Sequence, residues 1–96
     1  MNILGYEYKL VYDFPVDVID ANGRINTATK TIHIANDLDD QETLSVILHE
    51  IIEAIDHHLE LELNHKTISC LETGIYQTLT SNGVDLSSLK GVYNEE

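Results

Sequence analysis

Residues 43–59 read TLSVILHEIIEAIDHHL, and this stretch decides the fold. It contains neither Gly nor Pro. Its apolar residues Leu44, Ile47, Leu48, Ile51, Ile52, Ile55 and Leu59 recur at helical spacing. His49, Glu50, Glu53, Asp56, His57 and Glu60 fall on the other side. The pattern predicts an amphipathic helix with an acidic, histidine-bearing face. Asp39 followed three residues later by Glu42 has the form of a capping box, so the helix should start near Asp39 or Asp40 and run to about Glu60.

Beyond it, Leu61-Glu62-Leu63 reads as a short connector and Asn64 as the N-cap of a second helix over about 64–82. Ile68, Leu71, Ile75 and Leu79 give that helix an apolar stripe with Tyr76 beside it, and Asn82-Gly83 gives it a stop. A short connector makes the two helices antiparallel neighbours, with Leu48 and Ile75 expected in their core. Cys70 borders the stripe; with no basic residue near it, burial as a small apolar side chain is expected rather than a nucleophilic role. Asp85–Leu89 can form one more turn before a short, fraying tail at Tyr93–Glu96.

Upstream, Tyr6–Phe14 (YEYKLVYDF) has strand propensity, and Pro15 should end it. Val16–Asp20 reads as a short continuation or a loop. Asn22-Gly23 is a turn signal, followed by Arg24–Asn26 and by Thr29–Ala35 (TKTIHIA), where Ile32 and Ile34 alternate with Thr31 and His33. His33 is then a solvated strand residue. Strand patterns over about 6–35 followed by helical ones predict an α+β fold: a short antiparallel β-meander of two or three strands packed on an antiparallel two-helix hairpin, one domain over residues 1–96.

Composition narrows the function. The chain has 96 residues, 43% of them hydrophobic, which suits one modest core. No apolar run approaches the roughly 20 residues that cross a bilayer, and MNILGYEYKL lacks the basic-then-apolar pattern of a signal peptide. A single cysteine excludes an internal disulfide, so a cytoplasmic protein is expected. The net charge of −12 argues against nucleic acid and anionic membrane as partners, and permits a metal ion or a basic protein. Between Lys30 and Lys66 there is no Lys or Arg, yet nine Asp or Glu and all five histidines lie there. Such a region is rich in metal-ligand side chains and empty of competing cations.

His49-Glu50-Ile51-Ile52-Glu53 is one substitution away from H-E-x-x-H, the helix motif of zinc peptidases. The four-residue spacing puts His49 and Glu53 on one face, and a carboxylate is an acceptable zinc ligand. Glu50, next to the first ligand, has the place of the general base that takes a proton from water. His65, in the first turn of the second helix, can return over the first helix as the third ligand. Glu72 and His57 are competing ligands, and His58 points elsewhere. A carboxylate in the set also permits manganese or iron instead of zinc. Tyr76 has either a packing role or an oxyanion-donor role.

These motifs resemble those of small phage and prophage zincin-like metallopeptidases. The shared features are Gly23-Arg24-Ile25 and Thr31-Ile32-His33-Ile34, then Thr43-Leu44, His49-Glu50 and Ala54-Ile55. Leu71-Glu72-Thr73-Gly74-Ile75-Tyr76-Gln77-Thr78-Leu79 and Ser81-Asn82 follow in the same order. The resemblance implies a minimal zincin fold, a zinc site and peptide hydrolysis in the cytosol of a host, with the strand Thr29–Ala35 as the edge that aligns an extended substrate. Glu53 departs from the family's second histidine. The other reading is a non-catalytic acidic effector that inhibits a basic host protein, such as a defence nuclease or toxin, with the helix kept as scaffold.

Overall fold

The computed structural model describes residues 1–14 and 22–93. Pro15, the segment Val16–Asp20 and the last three residues of the tail lie outside them. The elements are β1 (Asn2–Ile3), β2 (Tyr6–Glu7), β3 (Lys9–Phe14), β4 (Gly23–Asn26), β5 (Thr31–Ala35), α1 (Asp40–Leu59), α2 (His65–Ser81) and a 3₁₀ helix (Ser87–Tyr93). The architecture is α+β, with the two helices packed together beside small sheets.

Both helices begin as their capping residues dictate. Asp39 accepts the Glu42 backbone N–H at 2.7 Å while the Asp39 N–H donates to the Glu42 carboxylate at 3.3 Å. Asn64 accepts the Thr67 N–H at 2.8 Å. Between them, Glu60 and Glu62 take left-handed backbone conformations at φ 54 and 59, and the Asp56 carboxylate accepts the Leu63 N–H at 3.0 Å. Those contacts reverse the chain and bring α2 back along α1.

The sheets depart from a meander. The main sheet has the order β3-β5-β4, with β4 antiparallel to β5 but β3 parallel to it. Burial explains the order. Ile32 and Ile34 on β5 are fully buried, so the most apolar strand takes the centre. On β4, Arg24 and Asn26 are exposed, a pattern suited to an edge. The expected edge strand Thr29–Ala35 is thus the central one, and β3 and β4 are the edges. The turn also differs. Gly23 opens β4, and the β4–β5 connection is Thr27–Lys30, where the Asn26 side chain accepts the Ala28 and Thr29 N–H groups at 3.0 Å each.

The expected strand Tyr6–Phe14 is cut at Tyr8, because β1 and β2 form a separate hairpin through Leu4 and Gly5, both at positive φ. Tyr8 is buried and its hydroxyl lies 2.7 Å from His58 Nε2, while Tyr6 stacks on the His58 ring at 4.0 Å. The hairpin is so tied to the last turn of α1. As expected, His33 is half-exposed, and it pairs with Asp13 at 2.8 Å.

The core has two parts. Ile3, Tyr8, Leu10, Ile32 and Ile34 pack on Ile47 and Ala54 of α1. Leu48 and Ile52 pack on Ile68 of α2, with Leu63 and Tyr76 at the rim. Helix α2 thus touches α1 along His65, Ile68, Glu72 and Tyr76, not along the full apolar stripe. Leu71 is 42% exposed and Ile75 38%, so neither is a core residue. Cys70 is also exposed, contrary to expectation, since it lies on the outer side of an outer helix.

Candidate metal centre

Helix α1 sends residues three ways. Thr43, Ile47, Glu50 and Ala54, spaced four, three and four, form its buried line against the sheet. Leu48 and Ile52 face α2. His49 and Glu53 lie in the seam between these, where Asn22 and Gly23 of the β4 side and His65 and Glu72 of α2 wall a cleft of about 370 Å³.

Gly23 lets this seam exist. A Cβ there would lie 2.4 Å from Val46 Cγ1 and 3.1 Å from Glu50 Oε2. Only a residue without a side chain lets β4 approach α1 so closely at Glu50. The Asn-Gly pair reads as a turn in sequence, but its glycine serves close approach.

His49, Glu53 and His65 each offer a ligand atom, and the three atoms lie within 4.8 Å of one another. The His49 and His65 rings are 5.4 Å apart between centroids, and His49 Nε2 is 3.1 Å from Glu53 Oε2. His65 reaches the group because Asn64 starts α2 directly before it. On the other side of the His49 ring, Nδ1 lies 3.3 Å from Glu72 Oε1, and the Ser45 hydroxyl donates to Glu72 Oε2. Glu72 therefore stands behind His49, outside the three-atom group. A carboxylate at Nδ1 fixes the ring with Nε2 towards Glu53, the arrangement usual around metal-bound histidine. His57 is also outside the group: it is exposed and meets the His58 ring edge-on at 5.0 Å.

Glu50 differs most from its sequence reading. The helical wheel puts it on the polar side, yet it is 3% exposed. Its place in the line Thr43–Ile47–Glu50–Ala54 is the signal that could have found this. Burial, then the charge of Glu53 beside it and a hydrogen bond to Glu53, push its carboxyl up to about 8. Its Oε1 has no hydrogen-bond partner among the described residues. A buried acid with an unpaired oxygen, next to a cleft, is an arrangement suited to exchanging a proton with a bound molecule. Ser45 was not singled out in the sequence; its position four residues before His49, on the same face, is the available signal.

The donor set fits a divalent ion. Two imidazoles and a carboxylate match the composition of three-ligand zinc sites. No protein-family model, curated protein or solved structure matches the chain.

Proposed function

We propose that this protein is a zinc-dependent peptide hydrolase of zincin-like type, with His49, Glu53 and His65 as metal ligands and Glu50 as general base. The observation that carries the reading is the convergence of those three donor groups within 4.8 Å. When bound, a divalent ion here would supply Lewis acidity, polarising a carbonyl and making water easier to deprotonate. The chain's own residues do the rest. Glu72 holds the His49 ring through Nδ1, and Ser45 holds Glu72. In its ionised form Glu50 would accept a proton from water and deliver it to the leaving amine. An extended peptide pairs with the outer edge of β4, beside Gly23, in place of the β5 edge that the sequence suggested. The role of Tyr76 is packing, since its ring lies against the Leu48–Ile52–Ile68 cluster. A cytosolic setting suits a chain whose one cysteine is free and exposed.

The test is elemental analysis beside hydrolysis of an unfolded protein substrate. Zinc should be near one per chain and be lost in His49→Ala and His65→Ala. Glu50→Gln should keep the metal and lose activity by about a hundredfold or more. If no metal binds to the purified chain, the hydrolase reading falls. The acidic surface would then favour the binding of a basic host protein without cleavage.

A further inference from the structure

Helix α2 meets the rest of the described chain on one side only. Ile68, Glu72 and Tyr76 face α1, and the outer side carries Thr67, Cys70, Leu71, Gly74, Ile75 and Thr78, all exposed. Of the seven large exposed hydrophobic residues among those described, Leu61, Leu71, Ile75 and Val84 lie on α2 or within four residues of its ends. The chain carries a net charge of −12, yet from Thr67 to Ser81 its one charged side chain is Glu72, which is turned to His49. The outer side of α2 is therefore a neutral strip with an apolar centre on an acidic molecule. Gly74 stands in the middle of it. A glycine inside a helix weakens that helix. Nothing in the single chain requires its small size, because a Cβ there would meet no atom within 4 Å. Its missing side chain is of use to a surface that approaches from outside.

We propose that the outer side of α2 is a dimer interface occupied by a second copy of this chain, the two α2 helices crossing antiparallel about a two-fold axis between Leu71 and Ile75. In such a crossing Leu71 of each copy packs on Ile75 of the other, because the two positions are equally far from the axis. Gly74, beside the axis, lets the backbones approach closely. Charge selects the occupant. A basic partner gains nothing from an uncharged strip and is drawn to the acidic surface elsewhere. A second copy carries the same net charge and is repelled wherever acidic faces meet. On this strip two copies can meet with no like charges opposed. One helix face buries little area, so the dimer is weak and reversible. The proposal stands apart from the hydrolase reading, since it uses none of the residues assigned to the metal or to proton transfer.

The test is sedimentation equilibrium of the full chain up to about 1 mM, at low and high salt, with zinc and with chelator. Monomer and dimer should be the species present in both. Raised salt should tighten the dimer at least about threefold, by screening the repulsion between two acidic chains. Leu71→Gln, at an exposed position of the single chain, should weaken the dimer at least about tenfold. Gly74→Ala separates the interface from the fold. In the single chain the added methyl meets nothing and the helix gains, so the Tm of the dilute protein should rise. In the dimer the same methyl stands in the crossing and should weaken association at least about fivefold. A monomer at every concentration, association that salt weakens, assembly beyond two chains, association that requires zinc, or a dimer that either variant leaves unchanged overturns the proposal.

Discussion

Glu50 gives the residue scale its sharpest consequence. Folding moves its carboxyl from an ordinary value of 4.5 up to about 8, with burial as the main cause and Glu53 second. Between those limits the unfolded chain has released this proton and the folded chain still holds it. The unfolded state therefore binds fewer protons, and the metal-free protein should lose stability as pH rises from about 4.5 through about 8. The slope from one such group is about 1.4 kcal/mol per pH unit where the imbalance is complete. Glu50→Gln should flatten the fall and be the more stable protein at pH 8. Urea titrations at pH 5 and pH 8 in a chelator measure this, and equal slopes in both proteins would contradict it. The sequence marks this residue as the candidate base, from its place next to His49. It did not show the burial, because an acid in the middle of an HE-type helix looks solvated until the approach of Gly23 is known.

At the scale of the element, α1 was readable nearly throughout and α2 only in part. Capping residues and the 3.6-residue period place both helices to within a residue or so. The face of α2 was not readable, because a stripe of Ile68, Leu71, Ile75 and Leu79 does not tell how many neighbours the helix has. Among the described residues helix α2 packs on α1 alone, and contacts from His65 and Glu72 take part of that narrow face. Leu71 and Ile75 are turned outward as a result. Ile47→Ala, at a fully buried position between α1 and the sheet, should cost roughly 2–5 kcal/mol. Ile75→Ala should cost under about 1 kcal/mol. Denaturant midpoints of the two variants check the ranking, and comparable losses would mean that α2 buries more than its contacts with α1.

For the whole molecule, 17 acidic residues against five basic ones make the folded chain repel itself, and the cleft at His49 gathers Glu42, Glu50, Glu53 and Glu72 where a cation can offset them. Metal loading should then stabilise the fold, since an unfolded chain holds His49, Glu53 and His65 apart. At zinc about a hundredfold above its dissociation constant the gain is about 2.7 kcal/mol, which in a chain of this size raises the Tm by roughly 10 °C or more. Melting with zinc and again with chelator measures it, and His65→Ala should abolish the difference. A Tm unmoved by zinc would count against the site. The site was legible to the extent that its residues share a helix face or follow a cap. Its walls were not, because Gly23 and Glu72 take their places through the packing of β4 and α2 on α1, which no local pattern encodes.

The central position of β5 has a kinetic meaning. Its partner β4 is joined to it by Thr27–Lys30 alone, so that pair can close quickly. Its other partner, β3, precedes both, and its parallel pairing must span the chain from Phe14 to Thr31. Closing the longer loop costs more entropy before any contact is gained, so β3 should dock after the β4–β5 pair and α1 have formed the nucleus. Asn26→Ala, which removes the acceptor of two turn N–H groups, should slow folding. Leu10→Ala, in β3, should leave the folding rate nearly unchanged and hasten unfolding. Stopped-flow chevrons of the two variants read this directly, and a slowed folding arm in Leu10→Ala would put β3 in the nucleus. A protein built on this order would spend its early folded life with the histidine-bearing helix formed and the far side of its sheet still open.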